Sequence, residues 1–333
     1  MLANAVVATA PGEVAFMTIN VPDPGPQDVV IRVKHSWISN GTEGSFIRGE
    51  RIAGDTPRRE QDPLPFPHVP GYQKVGVIEW CGNEVTDLQI GDVVFATVSG
   101  VEGMFYDYGG HVSPAVTARS QVWKLPEGVD PVAASGLVLT QVGYNAGMRP
   151  LLEAGDAAVV LGDGMVGHWT AQTLQQRGAR VLLAGRHDDR LSRFARRDGD
   201  RVVNTRQEDL SNVASVWAPE GLQVLVDTVG SVTDTEILLA RMRHFGQVVS
   251  VGFYGTDGLF DAQKLREREL AFYAPAGWRT ARIEETLAWL GQGVLTTLHL
   301  ITHRFPAARA VDAYSLILNR QAGALGVVLD WED

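Results

Sequence analysis

The 333-residue chain has a single cysteine, Cys81. An intramolecular disulfide is therefore excluded, and so is a metal site built from a cysteine cluster. So sparing a use of thiols suits a reducing setting, and a cytoplasmic location is expected. No apolar run approaches the ~18 residues of a membrane-spanning helix. The opening stretch "MLANAVVATAPGEVAF" lacks a basic start followed by an apolar segment, so no secretory signal is expected. Basic residues are the minority, 29 Lys and Arg against 39 Asp and Glu, for a net charge of −10. That balance argues against nucleic acid or an anionic membrane as a general partner and leaves a small molecule as the expected one. Internal repeats and low-complexity tracts are also absent.

What is present is an ordinary globular composition, 45% apolar and 20% charged. The chain is long for one hydrophobic core, so two domains are expected. The first third is rich in short β patterns. "GEVAFMTIN", "DVVIRVKHSWIS", "KVGVIEWCG" and "QIGDVVFATV" alternate or run apolar between turn signals, which predicts a partly closed barrel or a small sandwich. Residues 50–67, "ERIAGDTPRREQDPLPFP", are polar and proline-rich and read as a long surface loop.

From about residue 123 the pattern changes. "PEGVDPVAASGLVLTQVGYNAGMRP" has helical apolar spacing. Strands are then expected at 157–161, 180–184, 201–204, 224–227 and 247–251, with helices between them, among them 167–177 and 233–243. Such alternation predicts a parallel sheet covered on both faces. The last segment holds two helical patterns and a closing strand, 326–330, that could rejoin the first domain.

The sharpest local signal is "VVLGDGMVGHWTAQTLQQRGARVLLAGRHDDR", from Val159 to Arg190. Gly162, Gly164 and Gly167 form G-x-G-x-x-G between an expected strand and an expected helix, with a second strand following. Gly162 permits the tight turn, Gly164 lets the backbone approach a pyrophosphate, and Gly167 lets helix and strand pack closely. Met165 and Val166, in the turn before the expected helix, complete the candidate cofactor-binding set, and the free N–H groups at the helix N-terminus would face that anion. Sites for NAD usually carry Asp or Glu at the end of the second strand, to hold the ribose 2′-hydroxyl. Here Ala184 and Gly185 are followed by Arg186, with Arg190 four residues on. A small residue leaves room for a 2′-phosphate and arginine binds one well, so NADP(H) is expected over NAD(H). Asp188 and Asp189 temper the local positive charge and read as first-turn acids of the next helix.

With these motifs in view, "GPQDVVIRVKHSWISNGTE", "VPGYQKVGVI", "IGDVVF", "VVLGDGMVG", "LVDTVG" and "GQVVSVGF" together resemble, in order, the medium-chain dehydrogenase/reductase superfamily. The resemblance spans nearly the whole chain. It implies a chaperonin-10-like β-barrel catalytic domain, residues 1–122 and 276–333, and a Rossmann domain with a doubly wound parallel sheet, residues 123–275. A homodimer or tetramer is commonly implied as well, and a homodimer is expected here. Many members carry catalytic zinc, but Asn40-Gly41-Thr42-Glu43 stands where zinc members have Cys-Gly-x-Asp, and Gly71-Tyr72-Gln73 where they have Gly-His-Glu. The third ligand position falls near Val138, and the four-cysteine lobe is missing. Zinc-free members are therefore the nearer likeness: "NGTEGSFIRG" resembles a stretch of the quinone oxidoreductases, and "ISNGTE", "PFPHVPGYQKVG" and "VVLDW" resemble the hydroxyethyl bacteriochlorophyllide dehydrogenase group.

Without a Lewis acid, the substrate oxygen must be handled by hydrogen-bond donors. Tyr72 is the first candidate, as donor to a carbonyl or enolate oxygen or as proton relay; equally, it could only fill the volume of the missing metal. Asn40 is a candidate for holding substrate or nicotinamide carboxamide, and Thr42 for a relay. Glu43 is a candidate base, or a structural acid bonding backbone N–H groups or an arginine such as Arg48. "MFYDYGGH" offers Tyr106, Tyr108 and His111, read mainly as loop or core packing. By the same resemblance Thr140, Val251, Gly252 and Phe253 fall at the nicotinamide pocket, and Thr228 and Val229 face the adenine-ribose half or the bridge to nicotinamide. The expectation is a zinc-independent NADP(H) oxidoreductase acting on a carbonyl/alcohol pair or an activated C=C bond. The alternative is a catalytically silent NADPH-binding protein.

Overall fold

Strand Ala157–Leu161 shows how the sequence builds the second half of the molecule. All five residues are buried. Ala157, Val159 and Leu161 enter one core and Ala158 and Val160 the other. Side chains alternate along a strand, so a continuous apolar run has apolar layers on both sides. A computed structural model describes residues 1–258 and 261–332. The chain forms two compact units, Met1–Val138 with Ile283–Gln292 and Thr296–Asp333, and Leu139–Arg282 with Gly293–Leu295.

In the second unit six parallel strands lie in the order Arg201–Asn204, Arg180–Gly185, Ala157–Leu161, Leu222–Asp227, Met242–Ser250, Ala271–Tyr273. Strand order reverses between Ala157–Leu161 and Leu222–Asp227, the doubly wound arrangement whose ligands bind at the carboxyl ends beside the reversal. The helix expected over 233–243 ends at Leu239, and the next strand starts at Met242. The helix expected over 167–177 spans Met165–Gln176. The edge strand Ala271–Tyr273, three residues beside a charged segment, carries too short a pattern to be read from sequence.

In the first unit the long strand Asp28–Ile38 pairs with Lys74–Cys81, Ala115–Ala118 and Gly326–Asp330. A smaller sheet holds Val112–Ser113, Leu2–Ala10 and Glu13–Asn20. Residues of both sheets, among them Ala5, Val7, Val29, Ile31, Val33, Ile78 and Val94, share one core, giving the chaperonin-10-like barrel. The C-terminal strand does return to this unit: Val327 lies opposite Ile38 and Asp330 opposite His35. Helix Ala310–Leu318 covers a second apolar layer made by Val6, Ala8, Ile38 and Ile47.

The unit bounds differ from the expected ones. Residues 123–138 belong to the first unit because Val122–Lys124 is a barrel strand, with Trp123 opposite Phe95. Residues 276–282 belong to the second. The helical pattern after Pro126 is two helices, Pro131–Ala134 and Leu137–Met148. Gly136 lies between them, where a Cβ would sit 2.7 Å from the Trp37 ring. The loop of residues 50–67 is tied down by its arginines and includes the short pair Arg51–Ala53 and Thr56–Pro57. Arg51 is buried against Ser45 Oγ, and Arg58 donates to the carbonyls of Gly49, Arg59 and Asp62.

Candidate functional site

In the first unit the candidates Asn40, Thr42 and Glu43 follow the end of strand Asp28–Ile38, and Tyr72 precedes strand Lys74–Cys81. Asp28–Ile38 stops at Ser39, and a short helix, Thr42–Ile47, begins three residues later. Glu43 lies in its first turn and is 2% exposed. Its Oε1 accepts the Ser39 N–H at 2.7 Å. Its Oε2 accepts His111 Nε2 at 2.9 Å and the Tyr314 hydroxyl. Arg48, the arginine considered from sequence, pairs instead with Glu50. His111 is fully buried, and its Nδ1 lies 2.8 Å from Ser36 Oγ, which also accepts the Trp331 indole N–H. With Nε2 protonated toward Glu43, Nδ1 is left to accept the Ser36 hydroxyl. Four side chains drawn from distant parts of the sequence, with the Ser39 N–H, thus hold one buried carboxylate in place.

Tyr72 sits above this network. Its phenol hydrogen-bonds the Ser39 and Thr42 side chains. Burial, with the negative charge of Glu43 adding to it, pushes the phenol up to about 12, against the lowering effect of those two hydrogen bonds. The group therefore stays protonated at neutral pH and can donate. Gly71 makes this placement possible: its φ is +88°, and a Cβ would lie 2.6 Å from the His111 ring. Asn40 donates through Nδ2 to the Leu325 carbonyl at 2.7 Å, and its buried Oδ1 has no hydrogen-bond partner among the described residues. A buried acceptor without a partner is costly and suits a ligand hydroxyl.

These residues do not fit a zinc ion. Tyr72 and Asn40 are engaged as above, and Val138, at the third position, is apolar and buried. Among the described residues no group of three His, Cys, Asp or Glu side chains is placed to hold a metal. His68 is a packing residue: its ring lies among Phe46, Phe66 and Tyr106, and burial lowers its basicity. Tyr106 donates to the Ile52 carbonyl and packs on Phe105 and Tyr108, so it too is held by its loop. Beside Gln73, Lys74 is fully buried with Nζ 2.5 Å from the Thr97 carbonyl, and burial lowers it to about 7.

The second unit carries the glycine turn. Gly162 has φ +118°, and a Cβ there would meet Thr228 Oγ1 at 2.2 Å. A Cβ on Gly167 would lie 1.9 Å from the Gly162 carbonyl oxygen, so helix and strand touch at this point. Gly164, which precedes helix Met165–Gln176, faces nothing within 4 Å. The turn therefore combines two glycines required by packing with one that leaves open space at a helix N-terminus, which fits a pyrophosphate. Met165 is buried and Val166 half-buried behind it. Thr140, on helix Leu137–Met148, is fully buried.

Opposite the turn, Asp227 ends its strand fully buried and organises the loop that follows. Its Oδ1 accepts the N–H groups of Val229 and Gly230, and its Oδ2 those of Ser231 and the Tyr254 hydroxyl at 2.7 Å. Burial, with the Asp227 charge, raises the Tyr254 phenol far above its usual value. The Asp227 carbonyl accepts from Val251 and Gly252, and Gly252 packs on Gly230 so closely that a Cβ would fall 2.0 Å from the Gly230 nitrogen. Thr228 donates to the Leu161 carbonyl, while Val229 is exposed. Thr228, Val229, Val251, Gly252 and Phe253 thus form one braced pair of loops at the carboxyl ends of adjacent strands.

At the end of Arg180–Gly185 the structure corrects one step of the sequence argument. The room above Gly185 is filled by the side chain of Asp163, from inside the glycine turn. Arg186 is largely exposed, 3.9 Å from Asp234, and Arg190 lies 3.6 Å from Asp163. Asp163, Asp227, Tyr254 and Tyr314 were not singled out from sequence. An acid inside the glycine turn and an acid at a strand end were the available signals.

Two family descriptions match the chain: "Alcohol dehydrogenase GroES-like domain" over residues 25–127 and "Zinc-binding dehydrogenase" over residues 166–292. The 2-desacetyl-2-hydroxyethyl bacteriochlorophyllide A dehydrogenase of Rhodobacter capsulatus is 29% identical, over 100% of this chain and 99% of that protein. The L-threonine 3-dehydrogenase of Deinococcus radiodurans is 27% identical over 97% and 96%. Among solved structures, an Escherichia coli alcohol dehydrogenase complexed with NADH has a TM-score of 0.84 at 21% identity, covering 99% of each chain. A Sinorhizobium meliloti putative zinc-binding dehydrogenase bound to NADP has a TM-score of 0.82 at 19% identity, again covering 99% of each. With barrel, doubly wound sheet and glycine turn in the expected order, the chain belongs to the medium-chain dehydrogenase/reductase superfamily.

Proposed function

We propose that the protein is a zinc-independent oxidoreductase that uses NADP(H) on a carbonyl/alcohol pair or an activated C=C bond. The observation that carries this reading is the trio Ser39, Thr42 and Tyr72, hydrogen-bonded together over buried Glu43. When bound, the nicotinamide supplies or accepts the hydride. Tyr72 is held protonated and donates to the substrate oxygen as negative charge develops there. Ser39 and Thr42 fix the direction of the phenol and pass a proton to or from it. Asn40 Oδ1 accepts from a substrate hydroxyl or from the carboxamide. Glu43 does not act as the base in this scheme, because its two oxygens already accept from Ser39, His111 and Tyr314.

The preference for NADP(H) rests on Arg186 and Arg190 at the end of Arg180–Gly185. Arg190 Nε is buried and has no hydrogen-bond partner among the described residues, so the guanidinium has a donor to give. A homodimer and a cytoplasmic location belong to the same proposal, supported by the exposed Phe272 on the edge strand and by the single cysteine. The test is a panel of quinones, enones, aldehydes and alcohols assayed with NADPH and NADP⁺ after exhaustive chelation. Turnover that survives chelation and falls by roughly 10²-fold in Tyr72→Phe, the scale of one lost oxyanion donor, supports the reading. NADPH binding without turnover on any substrate would favour the silent nucleotide-binding alternative.

A further inference from the structure

Gly185 needs its small size for a reason internal to the chain. A Cβ there would lie 2.4 Å from the Asp163 Cβ and 2.5 Å from its Oδ2. Asp163 reaches from the glycine turn to the place where a carboxylate on the second strand would otherwise stand. Its Oδ2 accepts the backbone N–H groups of Arg186 at 2.7 Å and His187 at 2.8 Å, and lies 2.9 Å from His187 Nδ1. Its Oδ1 lies 3.6 Å from Arg190 Nη1, close enough for charge attraction and too far for a hydrogen bond. The neighbouring acid Asp188 is committed to Asn204 and Gln207, and Asp234 lies 3.9 Å from Arg186.

We infer that Asp163 is the carboxylate with which this chain reads the adenosine ribose, and that it limits the preference Arg186 and Arg190 give to a 2′-phosphate. The inference rests on the proposed use of a nicotinamide dinucleotide. A ribose 2′-hydroxyl donates to Asp163 Oδ1. A 2′-phosphate gains Arg186 and the spare donor of Arg190, but meets the carboxylate as a like charge. It also finds the N–H groups of Arg186 and His187 already taken. One site therefore accepts both dinucleotides, with Asp163 and the arginines pulling in opposite directions.

The experiment is calorimetric titration of NADPH and NADH into the wild type, Asp163→Asn, Asp163→Ser and Arg186→Ala, with a thermal melt of each. Asn and Ser keep an acceptor for the strand-end N–H groups and lose the charge. If one of the two does not fold, the other carries the test. NADPH is expected to tighten by about tenfold, the factor for relief of a screened unit-charge repulsion at ~5 Å, while NADH weakens several-fold. Equal changes for the two dinucleotides, or none, would mark Asp163 as a brace for the turn and overturn the inference. A shifted ratio with NADPH unaffected by Arg186→Ala would overturn the opposition between Asp163 and Arg186 that the inference states. A wild type that binds neither dinucleotide overturns the proposed function and the inference with it.

Discussion

Lys74 gives a prediction that can be worked through in numbers. Its side chain is fully buried, its Nζ donates to the Thr97 carbonyl, and burial lowers it from 10.5 to about 7. Below pH ~7 both folded and unfolded chains hold the proton, and the folded state bears the whole cost of burying an ammonium, about 4–5 kcal/mol for a shift of this size. Between ~7 and ~10.5 only the unfolded chain holds it, so stability rises with pH at up to ~1.4 kcal/mol per pH unit. From pH 6 to pH 9 the gain is about 2–3 kcal/mol. Lys74→Met removes this titration. It also removes the bond to the Thr97 carbonyl, at a cost of about 1–3 kcal/mol that does not depend on pH. The variant should therefore be more stable than the wild type by about 2 kcal/mol at pH 6, with the advantage gone by pH 9. Urea unfolding of both proteins at pH 6, 7.5 and 9 measures the difference, and pH-independent packing effects cancel between pH values. A difference that stays constant from pH 6 to pH 9 would refute the argument, because Lys74 would then titrate alike in both states.

The remaining predictions separate folding from binding. Gly164→Ala should leave the melting temperature within a degree or two, because the new methyl meets no atom within 4 Å, yet weaken dinucleotide binding at least tenfold by filling the approach to the pyrophosphate; titration and a melt check both halves. Glu43→Gln should destabilise the first unit by about 2–4 kcal/mol, because the amide cannot accept at every point the carboxylate does, as read by urea unfolding. Tyr72 should stay neutral to about pH 12, so the rate of carbonyl reduction should show no alkaline loss from this group between pH 7 and 10. A limb in that range that disappears in Tyr72→Phe would contradict the placement of the phenol.

Much of the fold was legible because it depends on short-range patterns. Ala157–Leu161 and Arg201–Asn204 appear with the bounds expected from their apolar runs, and the glycine turn announces itself because each glycine answers a different steric demand. The bounds of the two units were less legible. Trp123 reads as the start of a new texture, but its partner is Phe95, and a pairing between strands about thirty residues apart leaves no local mark. The same holds for Glu43: a structural acid bonding backbone N–H groups is one of its sequence readings, and Ser39 N–H supplies that bond, but nothing near it in sequence points to His111 or Tyr314.

Cofactor choice shows the same limit with a sharper consequence. The inference from Gly185-Arg186 treated a small residue at a strand end as space for a ligand. Space at a glycine belongs to whatever side chain reaches it first, and here that is Asp163. The absence of a carboxylate on the strand therefore does not mean the absence of a carboxylate at the site. An acid at the second position of a glycine turn lies next to the strand end in space, though more than twenty residues away in sequence. Reading the strand end alone counts the arginines and misses the charge that opposes them. The balance between Asp163 and the arginines, not any one residue, is the quantity that titration with the two dinucleotides measures.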